Sequence, residues 1–214
     1  MLDAIIYDWN GTLIDDVSAC HFILNTLLAR YKLPPVSYDK YRDIFAFPVI
    51  EYYKKAGFRL DEYTFEEVAG QFKPLYDEAF PKCTLYDGVI DALKWAKSQG
   101  IKQYLLSATQ IDSLLDQTEY FGVTDYFDKI VGTDNFHGKS KLQEGLDLVK
   151  SENLSGKKYV LIGDTGYDHT LAKTLGAESI LVDFGHKPRA FLENYSRVFS
   201  SWRDIVEYLK TAKF

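Results

Sequence analysis

Short apolar runs alternate with stretches of helical periodicity through most of this chain, and that rhythm constrains its fold more than any other feature. A run such as AIIY at positions 4–7 is too short for a core helix. It is apolar at successive positions, so both faces of the strand it forms must be buried, as in a parallel sheet. Parallel strands need crossover connections, which the amphipathic stretches supply. The rhythm predicts strands at 4–7, 103–106, 129–131, 159–162 and 179–182. Helices are predicted at 17–31, 89–98, 112–121, 141–150, 167–175 and 202–209. The expected fold is therefore α/β, a Rossmann-like three-layer core with a central parallel sheet. Between about 36 and 80 the rhythm breaks. Helical patterns recur at 52–56 and 65–76 without a buried strand, so this block reads as an inserted α-helical cap. The expected division is a core of residues 1–15 and 85–214 and a cap of residues 16–84.

Length and composition agree with one core plus a small insert: 214 residues and 24.6 kDa, 46% hydrophobic and 15% aromatic, too apolar for a disordered chain. A net charge of -6 and a pI near 5.3, with no clustered basic segment, make nucleic acid a poor partner. No stretch approaches the roughly 18 apolar residues of a membrane span, and no basic segment precedes Asp8, so no membrane association and a cytoplasmic location are expected. Composition leaves the oligomeric state open. Cys20 and Cys83 match no metal-ligand spacing and read as small core hydrophobes.

Three predicted strands end in polar residues: Asp8 and Asn10 after the first, Ser107 after the second, and Asp164 with Asp168 after a later one. Ligands of open α/β sheets bind beyond the carboxyl ends of the strands, so these distant segments can share one crevice. Clustered carboxylates repel unless a cation joins them. Mg²⁺ prefers oxygen ligands and is commonly held by one or two carboxylates plus phosphate and water, which suits Asp8 and Asp164. Ser107 and a lysine could then meet phosphoryl oxygens.

The segment IIYDWNGTLIDD resembles the first motif of the haloacid dehalogenase-like superfamily, Asp-x-Asp-Gly-Thr after an apolar strand. LLSAT, KSK and VLIGDTGYD match the second, third and fourth motifs in order. The resemblance spans nearly the whole chain and is similar to phosphoglycolate phosphatase-like members with a helical cap. It implies hydrolysis of small phosphorylated metabolites through an aspartyl-phosphate on Asp8. It also implies Mg²⁺ held by Asp8, the Asn10 main-chain carbonyl and Asp164, with Asp168 in support. Ser107 and a lysine would grip the transferring group. Ser140-Lys141 aligns with a Ser-Lys that opens a helix in this subfamily, which favours Lys141, with Lys139 as the competitor.

Asn10 departs from the pattern. The second aspartate of such phosphatases protonates the leaving oxygen and then activates water, and an amide does neither near neutral pH. Three functions follow: a phosphomonoester hydrolase with a weakened acid/base position, a catalytically idle relative that binds a phosphorylated metabolite or a protein partner, or an enzyme of another bond, since dehalogenases and phosphonate hydrolases of the superfamily also lack the second aspartate, with Asp164 and Asp168 speaking against dehalogenation. Elsewhere the bland reading is preferred. Asp15 and Asp16 cap the first helix, Trp9 packs, His137 and His169 lie in loops or at the surface, and Arg42, Lys54 and Lys55 solvate a helix face. Phe45, Phe47 and Tyr52 are candidates to wall a pocket.

Overall fold

Every residue of strand β1 (Ala4–Tyr7) is buried, yet alternate residues go to different cores. Ile5 and Tyr7 join one apolar cluster, Ala4 and Ile6 another. This is the period-two alternation of a strand, and it puts β1 in the middle layer. The structure, a computed structural model, describes residues 2–134 and 141–212. After β1 come a short β2 (Ile14–Asp15) and five helices: α1 (Val17–Arg30), α2 (Tyr38–Ile44), α3 (Val49–Ala56), α4 (Phe65–Ala69) and α5 (Phe72–Ala79). Then β3 (Thr84–Leu85) pairs antiparallel with β2, closing the base of the helical insert.

The remainder alternates as the rhythm predicts. Its elements are α6 (Val89–Ser98), β4 (Lys102–Gln110), α7 (Ile111–Tyr120), β5 (Lys129–Thr133), α8 (Leu142–Ser151), β6 (Tyr159–Gly163), α9 (Gly166–Leu175), β7 (Glu178–Val182), α10 (Arg189–Leu192), β8 (Arg197–Phe199) and α11 (Trp202–Thr211). Six strands form one parallel sheet in the order β5-β4-β1-β6-β7-β8. On one face Ile5, Tyr7, Leu105 and Val160 pack with Leu93 of α6 and Trp202 and Ile205 of α11. On the other, Ile6, Leu106 and Leu161 pack with Leu148 of α8 and Leu171 and Leu175 of α9. The helical insert has a third core, in which Leu24, Leu27 and Leu28 of α1 meet Tyr41, Tyr52, Tyr53 and Tyr76. No helix among the described residues is long and apolar enough to cross a membrane.

Several elements differ from expectation, and the short β2, β3 and α10 were not anticipated. β4 does not stop at Leu106 but continues to Gln110, with its register against β5 shifting between those residues. The pattern at 65–76 is two helices, because Gly70, a poor helix former, ends α4. β8 was not anticipated, since RVF is too short and too exposed to carry a pattern. The feature that matters for the site is the strand order. β1 pairs with β4 on one side and β6 on the other, so the carboxyl ends of these three strands lie next to one another.

Candidate active site

Asp8 leaves β1 still tied to the sheet, its amide donating to the Ile162 carbonyl at 2.9 Å. The chain then curls around one acceptor: the amides of Thr12, Leu13 and Ile14 all donate to the Trp9 carbonyl, at 3.2, 2.9 and 3.1 Å. The curl needs Gly11 at φ 69°, a left-handed conformation that glycine adopts without strain. A β-carbon there would also overlap the Asp164 carboxylate. Trp9 is buried and donates from Nε1 to Gln117 Oε1 at 2.7 Å, a packing role.

Asp8, Asp164 and Asp168 each turn a carboxylate oxygen into the same space, with the three oxygens within 4.8 Å of one another. Asp168 reaches it from the first turn of α9, where it forms a capping box with Thr165, accepting from Thr165 Oγ1 at 2.6 Å and from its amide at 3.1 Å. The same carboxyl group is thus both a helix cap and a member of the acidic cluster. Lys141, at the start of α8, enters the cluster with Nζ 2.5 Å from Asp8 Oδ1 and 3.0 Å from Asp168 Oδ1, and donates to the Leu106 carbonyl at 3.2 Å. Lys139 and His137 lie outside the described residues.

One ammonium does not balance three carboxylates. Burial pushes the Asp8 carboxyl up to about 6, against the pull of Lys141 and with a further push from Asp168. Asp164 is pushed up to about 8, by burial first, with His186 opposing and Asp168 and Asp8 adding to the rise. Burial acts to lower the Lys141 ammonium, but Asp168 and Asp8 outweigh it and hold it charged well above neutrality. Hard oxygen donors, close spacing and surplus negative charge together fit a divalent cation such as Mg²⁺. Asp8 keeps 13% of its side chain exposed, an opening through which a substrate can reach it.

The side chain of Asn10 does not face this space freely. Its Nδ2 donates to Asp16 Oδ2 and to the Tyr76 hydroxyl, both at 2.8 Å, and its Oδ1 accepts from Thr109 Oγ1 at 2.8 Å. Both amide protons are therefore committed. Ser107 is buried, donates to Thr109 Oγ1 at 3.1 Å and accepts from the Thr109 amide at 3.1 Å. It stands next to Leu106, whose carbonyl holds Lys141, in the irregular part of β4.

Asp16 overturns the capping expectation. It makes no side-chain cap bond to α1, and instead accepts from Asn10, Tyr76 and the Gly11 amide, with His186 Nε2 at 3.3 Å. Burial alone would raise its carboxyl, but His186 and the hydrogen bonds of Asn10 and Tyr76 outweigh that and hold it low. Arg42 also departs from expectation: it leaves the helix face to donate to the carbonyls of Gly185, Asp183 and Lys187 at 3.1, 2.5 and 2.8 Å. Lys54 and Lys55 are exposed, as expected. Cys20 and Cys83 are free and buried.

His186, Tyr76 and Thr109 were not singled out from sequence. The His186 amide donates to Asp164 Oδ2 at 2.5 Å, its Nδ1 meets the Tyr41 hydroxyl at 2.8 Å, and Phe45 stacks on its ring at 4.4 Å. The only sequence signal was their position at the ends of strands or on the insert's helices, which many other polar residues share.

A family model described as haloacid dehalogenase-like hydrolase matches residues 5–182. A phosphoglycolate phosphatase of Rhodobacter capsulatus is 24% identical over 191 residues, which is 87% of this chain and 87% of that protein. One of Nitrosococcus oceani is 25% identical over 191 residues, covering 86% and 85%. Among solved structures, a haloacid dehalogenase-like family hydrolase from Streptococcus pneumoniae is similar with a TM-score of 0.83 at 19% identity, over 97% of this chain and 98% of that one.

Proposed function

The chain belongs to the haloacid dehalogenase-like hydrolase family, and on that premise we propose that it is a Mg²⁺-dependent phosphatase of small phosphorylated metabolites with Asp8 as nucleophile. The observation that carries the reading is the cluster of Asp8, Asp164 and Asp168 around Lys141. Phosphoryl transfer asks a protein mainly to position charge and neutralise it, and this cluster has the donors to do both. The phosphoglycolate phosphatases among its relatives support the substrate class.

Asp8 attacks phosphorus, the bond to the leaving oxygen breaks, and an aspartyl-phosphate forms; water then cleaves it to phosphate and regenerates the carboxylate. Lys141 holds Asp8 in line and stabilises the charge of the transferring group. Ser107 and the Thr109 hydroxyl beside it are the candidates to meet a phosphoryl oxygen. Asp8, the Asn10 carbonyl and Asp164 would hold Mg²⁺, with Asp168 orienting Lys141. When bound, the ion offsets the carboxylate repulsion and the phosphoryl charge. The helices from α1 to α5 form the cap, and the cytoplasm is the expected compartment.

Asn10 leaves the leaving group without a proton donor from position 10. General acid catalysis is worth about 10²–10⁴-fold, so aryl or acyl phosphates should turn over faster than alkyl phosphates by a factor of that order. The committed amide of Asn10 also favours a second reading, an idle relative that binds a phosphorylated metabolite or a protein partner. A phosphate-release assay with Mg²⁺ and a panel of aryl, acyl and alkyl phosphates tests both. Turnover that falls to background in Asp8→Asn supports the phosphatase. Undiminished turnover in that variant would remove Asp8 from the mechanism, and no turnover with any substrate would favour the idle relative.

A further inference from the structure

Asp16 is fully buried at the start of α1, where a carboxylate persists only if its charge and lone pairs are met. Oδ2 accepts from Asn10 Nδ2 at 2.8 Å and from the Tyr76 hydroxyl at 2.9 Å, with Cys20 Sγ at 3.4 Å. Oδ1 accepts from the Gly11 amide at 3.0 Å and lies 3.3 Å from His186 Nε2. Two of these donors, Asn10 and Gly11, belong to the loop that follows Asp8.

The arrangement is specific for an amide at position 10. Asn10 donates to both Asp16 and the Tyr76 hydroxyl from one end and accepts from Thr109 Oγ1 at the other, and two donors opposite an acceptor are what an amide carries and neither a carboxylate nor a carboxylic acid does. A carboxylate in the same pose would set two like charges 2.8 Å apart in a buried site, a repulsion that neither Tyr76 nor Thr109 can offset. The absence of the family's second aspartate and the presence of a buried carboxylate six residues later are thus two halves of one structural choice.

We propose that Asp16 is a positioning residue for the reaction: its carboxylate demands an amide at position 10 and through it fixes the loop between Asp8 and Gly11, so that positions 10 and 16 work as one carboxylate–amide pair in either order. Restoring an aspartate at position 10 therefore disrupts the site unless position 16 becomes the amide. The catalytic half of this inference rests on the phosphatase reading; the structural half does not.

The test is a double-mutant cycle on the full chain with Asn10→Asp, Asp16→Asn and the combined variant. Melting in EDTA reads the pair without any turnover. Each single change should lower the melting temperature by roughly 5–10 °C, as expected when a buried charge loses its partner or gains a like neighbour. The combined variant should recover at least half of the larger loss. With Mg²⁺ and an aryl phosphate, Asn10→Asp alone should show no gain in kcat. The combined variant should exceed it about tenfold or more in kcat with KM unchanged, a split that a merely structural loss would not produce. Additive losses in melting temperature, an Asn10→Asp protein that melts like the parent, or a combined variant less stable than Asn10→Asp each overturn the pair. If none of the four proteins releases phosphate, the phosphatase reading fails while the melting cycle still decides the pairing.

Discussion

Each of the acidic residues near the strand ends owes its role to the company it keeps. The Asp16 carboxyl is held low against its burial by His186 and the donors around it, whereas Asp164, equally buried, is pushed up to about 8 by that burial, with Asp168 and Asp8 adding to the rise and outweighing His186. This has a consequence for stability without metal. In the unfolded chain Asp164 loses its proton near 3.8, and in the fold it keeps it to about 8. The folded state therefore binds more protons between those values, and stability declines as pH rises through that window. Asp8, pushed up to about 6, contributes over its lower part, and the raised His186 has the same sign. The lowered carboxyls of Asp16 and Asp128 act only below 3.8. In EDTA the melting temperature should accordingly fall between pH 6 and pH 8, by several degrees for each proton so retained. Mg²⁺ should raise it more at pH 8 than at pH 6, since the ion competes with those protons. Calorimetry across this range checks both, and a melting temperature that climbs with pH in EDTA would refute the charge assignment.

Elements matter here through their ends. β6 delivers Asp164 and then turns so tightly into α9 that Asp168 folds back over Gly163. A β-carbon at Gly163 would collide with the Asp168 carboxyl. Gly163→Ala should therefore displace Asp168, break its capping box with Thr165 and loosen its hold on Lys141. Overpacking of this kind costs about 1–3 kcal/mol, and loss of a group that orients a metal site typically lowers metal affinity by about 10–100-fold. A Mg²⁺ titration followed by melting temperature measures both effects in one experiment. Unchanged Mg²⁺ response would show that Asp168 does not serve the site. α8 is built on the same plan, its first residue following Lys141, so the ammonium enters the cluster from a helix start fixed by Leu148 in the core.

At the scale of the whole molecule, the helical insert is fastened to the sheet by polar contacts as well as by apolar ones such as Phe80 against Phe121. Arg42 of α2 ties together the carbonyls of Asp183, Gly185 and Lys187, and Lys187 returns the contact by donating to the Asp43 carbonyl at 2.7 Å. Tyr41 reaches His186 and Tyr76 reaches Asp16 and Asn10. This seam runs alongside Asp164, which accepts from the His186 amide. Arg42→Leu should strand three carbonyls, each charge-assisted bond being worth about 1.5–3 kcal/mol. Hydrogen exchange should quicken by roughly tenfold or more in α2 and in residues 183–188, with the sheet amides of β1 and β6 unaffected. Arg42→Lys should recover only part of the protection, since an ammonium lacks the guanidinium fork. Equal exchange in parent and Arg42→Leu would show that the seam is held elsewhere.

Much of this molecule was legible without coordinates, and the reason is the same wherever it was. The patterns are local: the unbroken apolar runs in AIIY and YVLI, and the helical spacing in α1 and α11, follow from neighbours along the chain, so most strands and helices could be read from sequence. The ordered polar residues at the strand ends pointed to Asp8, Asp164 and Asp168 as neighbours, because a parallel sheet has only one carboxyl edge, while Lys141 came from the family resemblance. Pairings between distant residues were not legible. Nothing near Asp16 in the chain distinguishes a helix cap from the partner of Asn10, because what decides it is Tyr76, sixty residues on, and His186, far beyond. The sequence alone determined the layers, their order and the edge where chemistry can occur. Only the tertiary structure decided which polar groups meet there, since hydrogen bonds and charges act over a few ångströms of space regardless of separation along the chain.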